Sequence, residues 1–269
     1  MEKSETITSR SNPSIKIARS LRDRKDRSKA GKFLVEGILH VGEASAAGWD
    51  IDFILYSPES LTGDFATKLL ASEASKGVRC IPVSADIFES LADKDHPQGI
   101  LAVVNQKAAS LDTLSLNGFR YGVALVSPQD PGNVGTILRT LDAVGADGLI
   151  LLDGGVDPFH PSAVRASMGT LFWKSVAAAT FDDFTRWARQ NRYQLIGTSA
   201  HAAVDYRDAE LEKQPSILVL GSEQKGLSDV QLAACNISVK VPMHGRASSL
   251  NLSVAAGVLL YGLMERHVK

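Results

Sequence analysis

The sequence predicts an α/β protein made of two domains. Apolar runs of strand length alternate with helical patterns along most of the chain, and residues 106–118, which are polar and rich in small residues, interrupt this alternation. With 269 residues, 44% of them hydrophobic and 22% charged, the chain is long enough for two modest cores. We predict a small α/β/α domain over residues 1–105, a linker over 106–118, and a larger α/β domain over 119–269.

The first 32 residues are strongly basic. They hold ten Lys or Arg and four acids, a charge of +6, which leaves −7 on the rest of the chain. Asn12 and Pro13 predict a helix start. The apolar stripe of this helix is Ile15, Ala18 and Leu21. A basic helix on an acidic body favours a polyanion partner, although a solvated charged helix has the same pattern. The candidate contacts of the basic segment with such a polyanion are Arg19, Arg22 and Lys25.

The rest of the first domain alternates strands and helices. Strands are predicted near residues 32–36, 53–56, 78–83 and 100–105, and helices near 38–47, 65–76 and 85–92. Glu36 ends the first of these strands, and residues 96–99 form the turn before the last. Either could contact RNA, although single residues in such turns more often have structural roles.

The second domain alternates in the same way. Strands are predicted near residues 121–126, 148–152, 175–179, 194–197, 216–220 and 237–241, and helices near 134–144, 161–167, 184–191, 229–234 and 250–267. This pattern is typical of a mostly parallel sheet between layers of helices.

Three strand-loop-helix units of this domain carry polar loops. The first runs from Val123 to Gly145 and includes Arg139, the second from Ile217 to Ser228, and the third from Ile237 to Leu263. In the third, Ser248 or Ser249 is a candidate cap for a helix that is apolar almost all round. In open α/β sheets, ligands bind at the carboxyl ends of the strands, where these loops lie.

With these residues in view, the chain resembles the SpoU/TrmH-type RNA ribose 2'-O-methyltransferases of the SPOUT superfamily. Three motifs carry the resemblance over residues 119–269: Asn133-Val134-Gly135 with Arg139; Gly221-Ser222-Glu223 with Gly226; and Val241-Pro242-Met243 with Ser249-Leu250-Asn251. The amino-terminal part resembles, more loosely, the RNA substrate-binding domain that precedes the catalytic domain in many members.

The resemblance implies a deep trefoil knot in the C-terminal domain, a rare exception to the rule that chains do not thread through their own loops. It also implies S-adenosyl-L-methionine as the cofactor, bound largely by the backbone of the knotted loops. The matching positions are Thr198, Ser199, Leu220, Gly221, Val241, Met243, Ser249 and Leu250. Ser249 and Asn251 would equally be explained as caps of the last helix, and Gly221 as a turn residue at the end of a strand.

The resemblance places Arg139 near the ribose hydroxyl. Because a guanidinium stays protonated, we interpret Arg139 as a clamp on the adjacent phosphate that orients the ribose, and not as a general base. Asn133, Glu223 and Asn251 are the other candidate catalytic residues, as positioning groups. Arg165 is a candidate phosphate contact. Spacing alone does not establish any of these roles.

Other chemistries have weaker support. The sequence has no GxxxxGK[ST] motif, no GxGxxG motif and no GxSxG motif to accompany a Ser-His-Asp triad. The six histidines and the two isolated cysteines form no metal-ligand spacing, so we predict no metal and no disulfide framework. Neither a signal peptide nor a membrane span is indicated, and we expect a cytoplasmic protein.

The function predicted from the sequence is therefore methyl transfer from S-adenosyl-L-methionine to a ribose 2'-hydroxyl of RNA, with 23S ribosomal RNA favoured and transfer RNA as the alternative. A non-catalytic RNA-binding or ribosome-assembly factor and an antibiotic-resistance methyltransferase are further alternatives. The nearly all-apolar last helix and the resemblance together predict a homodimer, with Arg139 of one protomer near the cofactor of the other.

Overall fold

The computed structural model describes residues 5–92, 97–107, 109–210 and 214–268, with side chains to residue 263. The chain forms two compact units. The first consists of Met1–Lys107 and Phe159–Phe172, and the second of Ala108–Pro158 and Trp173–Lys269. The predicted turn residue His96 and residues 1–4 of the basic segment lie outside the described part. No helix in that part has the length and apolarity needed to cross a membrane.

The first unit contains a four-stranded mixed sheet with strand order β1-β4-β2-β3. The strands are β1 (Lys32–Glu36), β2 (Ile51–Tyr56), β3 (Arg79–Pro82) and β4 (Ile100–Asn105). The helices are α1 (Pro13–Ser20), α2 (Arg24–Ala30), α3 (Ile38–Ala46), α4 (Asp64–Ser75) and α5 (Ala85–Glu89). Every predicted strand and helix of this region is present. Their bounds agree closely because the spacing of apolar residues in the sequence indicates which residues of each strand and helix are buried.

Helix α1 begins as predicted. The Asn12 side chain accepts a hydrogen bond from Ser14 N at 2.9 Å, and Pro13 occupies the first turn. The stripe of Ile15, Ala18 and Leu21 is fully buried in a core with β1, β2, β4 and α5. Within the basic segment, Arg27 differs from its neighbours because it is only 1% exposed, and its guanidinium donates to the carbonyl oxygens of Leu21 and Arg22. Arg27 therefore stabilises the α1–α2 corner and adds no charge to the surface.

Residues 159–172 interrupt the predicted second domain, because they pack with the first unit. Phe159 lies 4.6 Å from Phe33 between ring centroids, and the Trp49 indole N–H donates to the Phe172 carbonyl at 2.9 Å. His40 donates to the carbonyl oxygen of Arg165 at 3.3 Å. Helix α7 (Pro161–Ala166) contacts β1. Arg165 thus belongs to the first unit, although it follows the first strands of the second unit in the sequence. Aromatic contacts between distant residues hold its segment there.

The second unit contains a seven-stranded, entirely parallel sheet with strand order β7-β6-β5-β10-β8-β11-β9. Its strands are β5 (Tyr121–Val126), β6 (Gly148–Leu152), β7 (Ser175–Ala179), β8 (Gln194–Thr198), β9 (Val204–Asp205), β10 (Ser216–Leu220) and β11 (Ile237–Lys240). Its helices are α6 (Pro131–Ala143), α8 (Phe181–Gln190), α9 (Asp229–Ala233) and α10 (Leu252–Val268). The predicted parallel α/β architecture is confirmed, and only the two-residue strand β9 escaped prediction.

Part of the predicted linker belongs to the core of the second unit. Leu111 opens a short 3₁₀ turn and Leu114 follows it. They are 8% and 7% exposed and pack among the aromatic side chains of α8. Ala109 also forms a parallel bridge with Ala177 at the edge strand β7. The linker prediction was wrong for these residues because isolated leucines in a polar segment carry no periodic signal, while an open sheet edge needs covering.

Candidate active site

The loops that follow β8, β10 and β11 surround one cavity of about 630 Å³. These three strands are neighbours in the sheet and run parallel, so their carboxyl ends lie at the same edge. All eight residues predicted to hold the cofactor line this cavity. They are Thr198, Ser199, Leu220, Gly221, Val241, Met243, Ser249 and Leu250. The structure therefore brings together segments that are up to 52 residues apart in the chain (250 − 198).

Gly221 has a structural reason to be glycine. A Cβ atom at this position would lie 1.9 Å from the carbonyl carbon of Gly226, because the loop after β10 folds back on itself. The fold is closed by a hydrogen bond of 2.9 Å from Gly226 N to Ser222 O, and Gly226 has a φ of +64°. The close approach at Gly221 is thus made by the chain's own backbone, which shapes one wall of the cavity.

Glu223 holds the loop that precedes α6. Its carboxylate accepts hydrogen bonds from Gln129 N at 3.0 Å, from Asp130 N at 3.3 Å and from the Asn133 amide at 3.1 Å. These hydrogen bonds join the motif that contains Asn133, which follows β5, to the motif that contains Glu223, which follows the neighbouring strand β10. Asn133, which is 7% exposed, lies in the first turn of α6 and not in a preceding loop.

The same loop is supported from its other side. Gly155, with a φ of +94°, lies so close to Pro128 that a Cβ atom would be 2.4 Å from the Pro128 carbonyl oxygen. Ser127 and Asp153 follow β5 and β6 in the left-handed region, with φ values of +46° and +54°. Such backbone conformations are costly for residues other than glycine and persist where the surroundings fix them. The loop between β5 and α6 therefore has one well-defined shape.

Asn251 is the cap of α10. Its side-chain oxygen accepts from Ser253 N at 2.9 Å and from the Ser253 hydroxyl at 2.7 Å. The prediction that Ser248 or Ser249 caps a helix opening at Leu250 was wrong. The helix begins at Leu252, which leaves Ser249 and Leu250 in the extended loop beside the cavity.

Arg139 is separated from these groups. It lies on α6 with an exposed side chain, and it is not among the residues that line the cavity. Helix α6 packs against α10. Of the four candidate catalytic residues, the structure joins Asn133 to Glu223 by a hydrogen bond, and it places Asn251 at the start of α10, two residues after the cavity-lining Ser249.

The candidate RNA contacts lie in the first unit. Arg19, Arg22, Lys25 and Arg165 all have exposed side chains. The Arg19 guanidinium donates to the Ser90 hydroxyl at 3.3 Å, so it is held near the end of α5. These positions suit contact with a polyanion, and the structure adds that Arg22 and Arg165, 143 residues apart (165 − 22), line a common cavity.

Sequence reasoning missed Lys240 as a residue of the cavity. Lys240 ends β11 and is aligned with Asp205 of β9, a strand too short to predict. Hydrogen bonds from Arg207 hold the pKa of Asp205 down at about 2, with a smaller contribution from the charge of Lys240. The position of Lys240 at the carboxyl end of a strand is the signal that could have identified it.

Cys235 does not supply a nucleophile. Burial raises the pKa of its thiol to about 11, so the group is protonated near neutral pH. It packs against β8, where a Cβ atom on Gly197 would lie 2.9 Å from the sulfur. Its role is packing, in agreement with the absence of a cysteine motif in the sequence.

Comparison with known proteins agrees with this geometry. The SpoU rRNA Methylase family matches residues 120–261, and the MRM3-like substrate binding domain matches residues 12–102. The 23S rRNA (uridine(2479)-2'-O)-methyltransferase of Streptomyces viridochromogenes is 32% identical over 255 residues, covering 92% of this chain and 88% of that protein. The 23S rRNA (guanosine(2553)-2'-O)-methyltransferase RlmP of Bacillus subtilis is 29% identical over 257 residues, covering 96% and 98%. The AdoMet-bound rRNA methyltransferase from Sinorhizobium meliloti has a TM-score of 0.89 at 33% identity, and the match covers 98% of both chains.

Proposed function

This chain belongs to the SpoU rRNA methylase family, and from that premise we propose that it methylates a ribose 2'-hydroxyl of 23S ribosomal RNA, using S-adenosylmethionine. One observation carries the proposal: the loops of three parallel strands converge on a single cavity with every predicted cofactor position in its wall. A 23S ribosomal RNA substrate would place the enzyme in the cytoplasm.

The cavity suits S-adenosylmethionine. Its volume of about 630 Å³ lies within the range of roughly 300–1,000 Å³ that is usual for small-molecule sites. Leucine, valine and methionine side chains provide apolar surface for the adenine ring, while loop backbone at Gly221 and Leu250 provides donors and acceptors for its polar edge. When bound, the cofactor supplies an electrophilic methyl group on a positively charged sulfur. The residues that would hold it are Leu220, Gly221, Val241, Met243 and Leu250.

The protein's own residues then have to position the ribose and manage its proton. Glu223 and Asn133 keep the loop before α6 in one shape, so they act as positioning residues. Arg139 presents a planar guanidinium group, whose N–H donors match phosphate oxygens. We assign it to the phosphate next to the target ribose, where its positive charge orients the nucleotide and lowers the pKa of the 2'-hydroxyl.

A homodimer would complete the site. Arg139 is exposed and does not line its own chain's cavity. On α10, Val254 and Tyr261 are 51% and 52% exposed and lie seven residues apart, on one face of the helix. An apolar face beside α6 is suited to a second copy of the chain, which would carry Arg139 of one protomer toward the cavity of the other.

The direct test is a map of ribose methylation in ribosomal and transfer RNA from cells with and without the gene. We expect one 23S position to lose its methyl group. Purified protein should then restore that methyl group on an unmodified 23S transcript, with S-adenosylmethionine as donor. A loss confined to transfer RNA would assign the other substrate, and unchanged maps together with no transfer in vitro would overturn the proposal.

A further inference from the structure

A second cavity, of about 190 Å³, lies entirely within the first unit. It is bounded by the edge strand β1, by β4 and by the inserted helix α7. Leu34 and Glu36 are two residues apart on β1 and therefore point to the same face, and Leu101 of β4 is paired with Glu36. Val164 and Arg165 of α7 line the opposite side. The cavity exists only because residues 159–172 pack with this unit.

Its lining combines an apolar floor with charged edges. Leu34, Leu101 and Val164 are at most 6% exposed and form flat apolar surface. Two arginines and one carboxylate lie at the same cavity. This combination suits a nucleotide, because aliphatic side chains pack against the apolar face of a base while charged side chains contact its polar edge and the phosphates joined to it.

Arg22 is fixed at the edge of this cavity. Its Nη2 atom donates to the carbonyl oxygens of Leu91 and Ala92 at 2.8 and 2.6 Å. A guanidinium has five N–H donors, and these two bonds use a single nitrogen, so the remaining nitrogens can reach a phosphate. Arg165 comes from the other side and is exposed. The two cations line the same cavity from different segments of the chain, so each is placed to contact a phosphate of a nucleotide bound there.

The size of the cavity restricts its ligand. At about 190 Å³ it is smaller than the usual range of roughly 300–1,000 Å³ for drug-sized ligands. A single planar base fits this volume, whereas a second S-adenosylmethionine does not. Glu36 has acceptor oxygens only, which selects bases that present N–H groups at their edge.

We propose that this cavity binds one unpaired base of the RNA substrate, with Arg22 and Arg165 on the flanking phosphates and Glu36 at the base edge. The inference rests on the proposed function for the identity of the RNA. It adds a specific recognition site to the first unit: phosphate contacts set the position of the RNA, and the base in the cavity makes that position depend on sequence and on local unpairing.

The test measures binding of an unmodified 23S ribosomal RNA transcript, without cofactor, across a range of salt concentrations. Val164→Phe fills the cavity without changing charge. We expect affinity to fall about tenfold because the base is excluded from its apolar site, with the salt slope unchanged because the phosphate contacts remain. Ile17→Phe is the matched control, since Ile17 is 40% exposed and does not line the cavity. Arg165→Gln should lower affinity and reduce the salt slope by about one phosphate, whereas Lys68→Gln, at an exposed position of the same unit outside the basic segment, serves as its control.

Glu36→Gln is the second variant if Val164→Phe fails to fold, because it is isosteric. It should weaken binding about tenfold. Single abasic substitutions in the transcript locate the bound nucleotide, and replacing that nucleotide with each other base should show a preference for one base in wild type that Glu36→Gln loses. The proposal would be overturned if folded Val164→Phe or Glu36→Gln protein bound the transcript with the affinity and base preference of wild type. Calorimetry with S-adenosylmethionine on the same proteins separates the two ideas, because a chain that binds no cofactor contradicts the proposed function and leaves the RNA-binding result standing.

Discussion

Glu223→Ala is the sharpest test of how the active-site loop is held. The substitution removes the acceptor of three hydrogen bonds, from Gln129 N, Asp130 N and the Asn133 amide, while it leaves the turn between Ser222 and Gly226 closed by its own backbone bond. The loop before α6 should then sample several shapes, and only one of them positions the ribose.

The magnitude follows from those three contacts. Each is worth about 0.7 kcal/mol, at the low end of the usual range because Glu223 is exposed to water, so together they contribute about 2 kcal/mol. If the whole amount appears in the transition state, kcat falls about 30-fold. The Kd for S-adenosylmethionine should change less than kcat does, since Glu223 is one of many residues that line the cavity and the wall at Gly221 is retained.

The assay measures kcat for methyl transfer under multiple turnover at saturating cofactor and RNA, with cofactor affinity measured separately by calorimetry. Glu210→Ala is the control, because it removes the same charge from an exposed position of the same unit. Asn133→Ala alone should cost less, and the double variant should be less impaired than the product of the two effects, because both remove a shared bond. A kcat for Glu223→Ala within about twofold of wild type would refute the positioning role.

Three further outcomes are expected. Gly221→Ala should lower the melting temperature and abolish cofactor binding in calorimetry, because its Cβ atom would lie 1.9 Å from the backbone of Gly226; near-wild-type binding would contradict this. Mixing Arg139→Ala with Asn251→Ala protein under subunit exchange should restore about a quarter of wild-type sites, since half the dimers are mixed and each has one intact site; no recovery despite exchange would exclude a shared site. Burial raises the pKa of Tyr193 from 10.0 to about 12, so the folded state holds the proton more tightly and stability falls as pH rises from 10 toward 12, by at most about 1.4 kcal/mol per unit. Chemical denaturation of Tyr193→Phe should show a smaller fall in this window, and an identical pH profile would contradict the assignment.

The sequence by itself determined the two α/β sheets and nearly all of their strands, and it placed the polar loops of the second unit at one edge of the sheet. Strands such as β5 and β10 are continuous apolar runs, which only a sheet buried on both faces accommodates. Because parallel strands place all their carboxyl ends at one edge, the motifs that follow β8, β10 and β11 had to meet there. Local pattern and topology were therefore sufficient for the place of this cavity, whereas the resemblance to the family named its individual residues.

Only the tertiary structure showed which basic residue is buried, which residue caps α10, and which unit residues 159–172 belong to. Arg27 looks like every other basic residue of its segment, yet it is buried against carbonyl oxygens. Asn251 caps α10 instead of Ser249 because the chain stays extended past the cavity. Residues 159–172 leave the second unit because Phe159 completes an aromatic cluster around Phe33, a contact between residues 126 positions apart (159 − 33). The periodicity of a sequence indicates which face of one helix or strand is buried. The roles of Arg27, Asn251 and residues 159–172 depend instead on which distant part of the chain packs against them, and only the folded structure shows that.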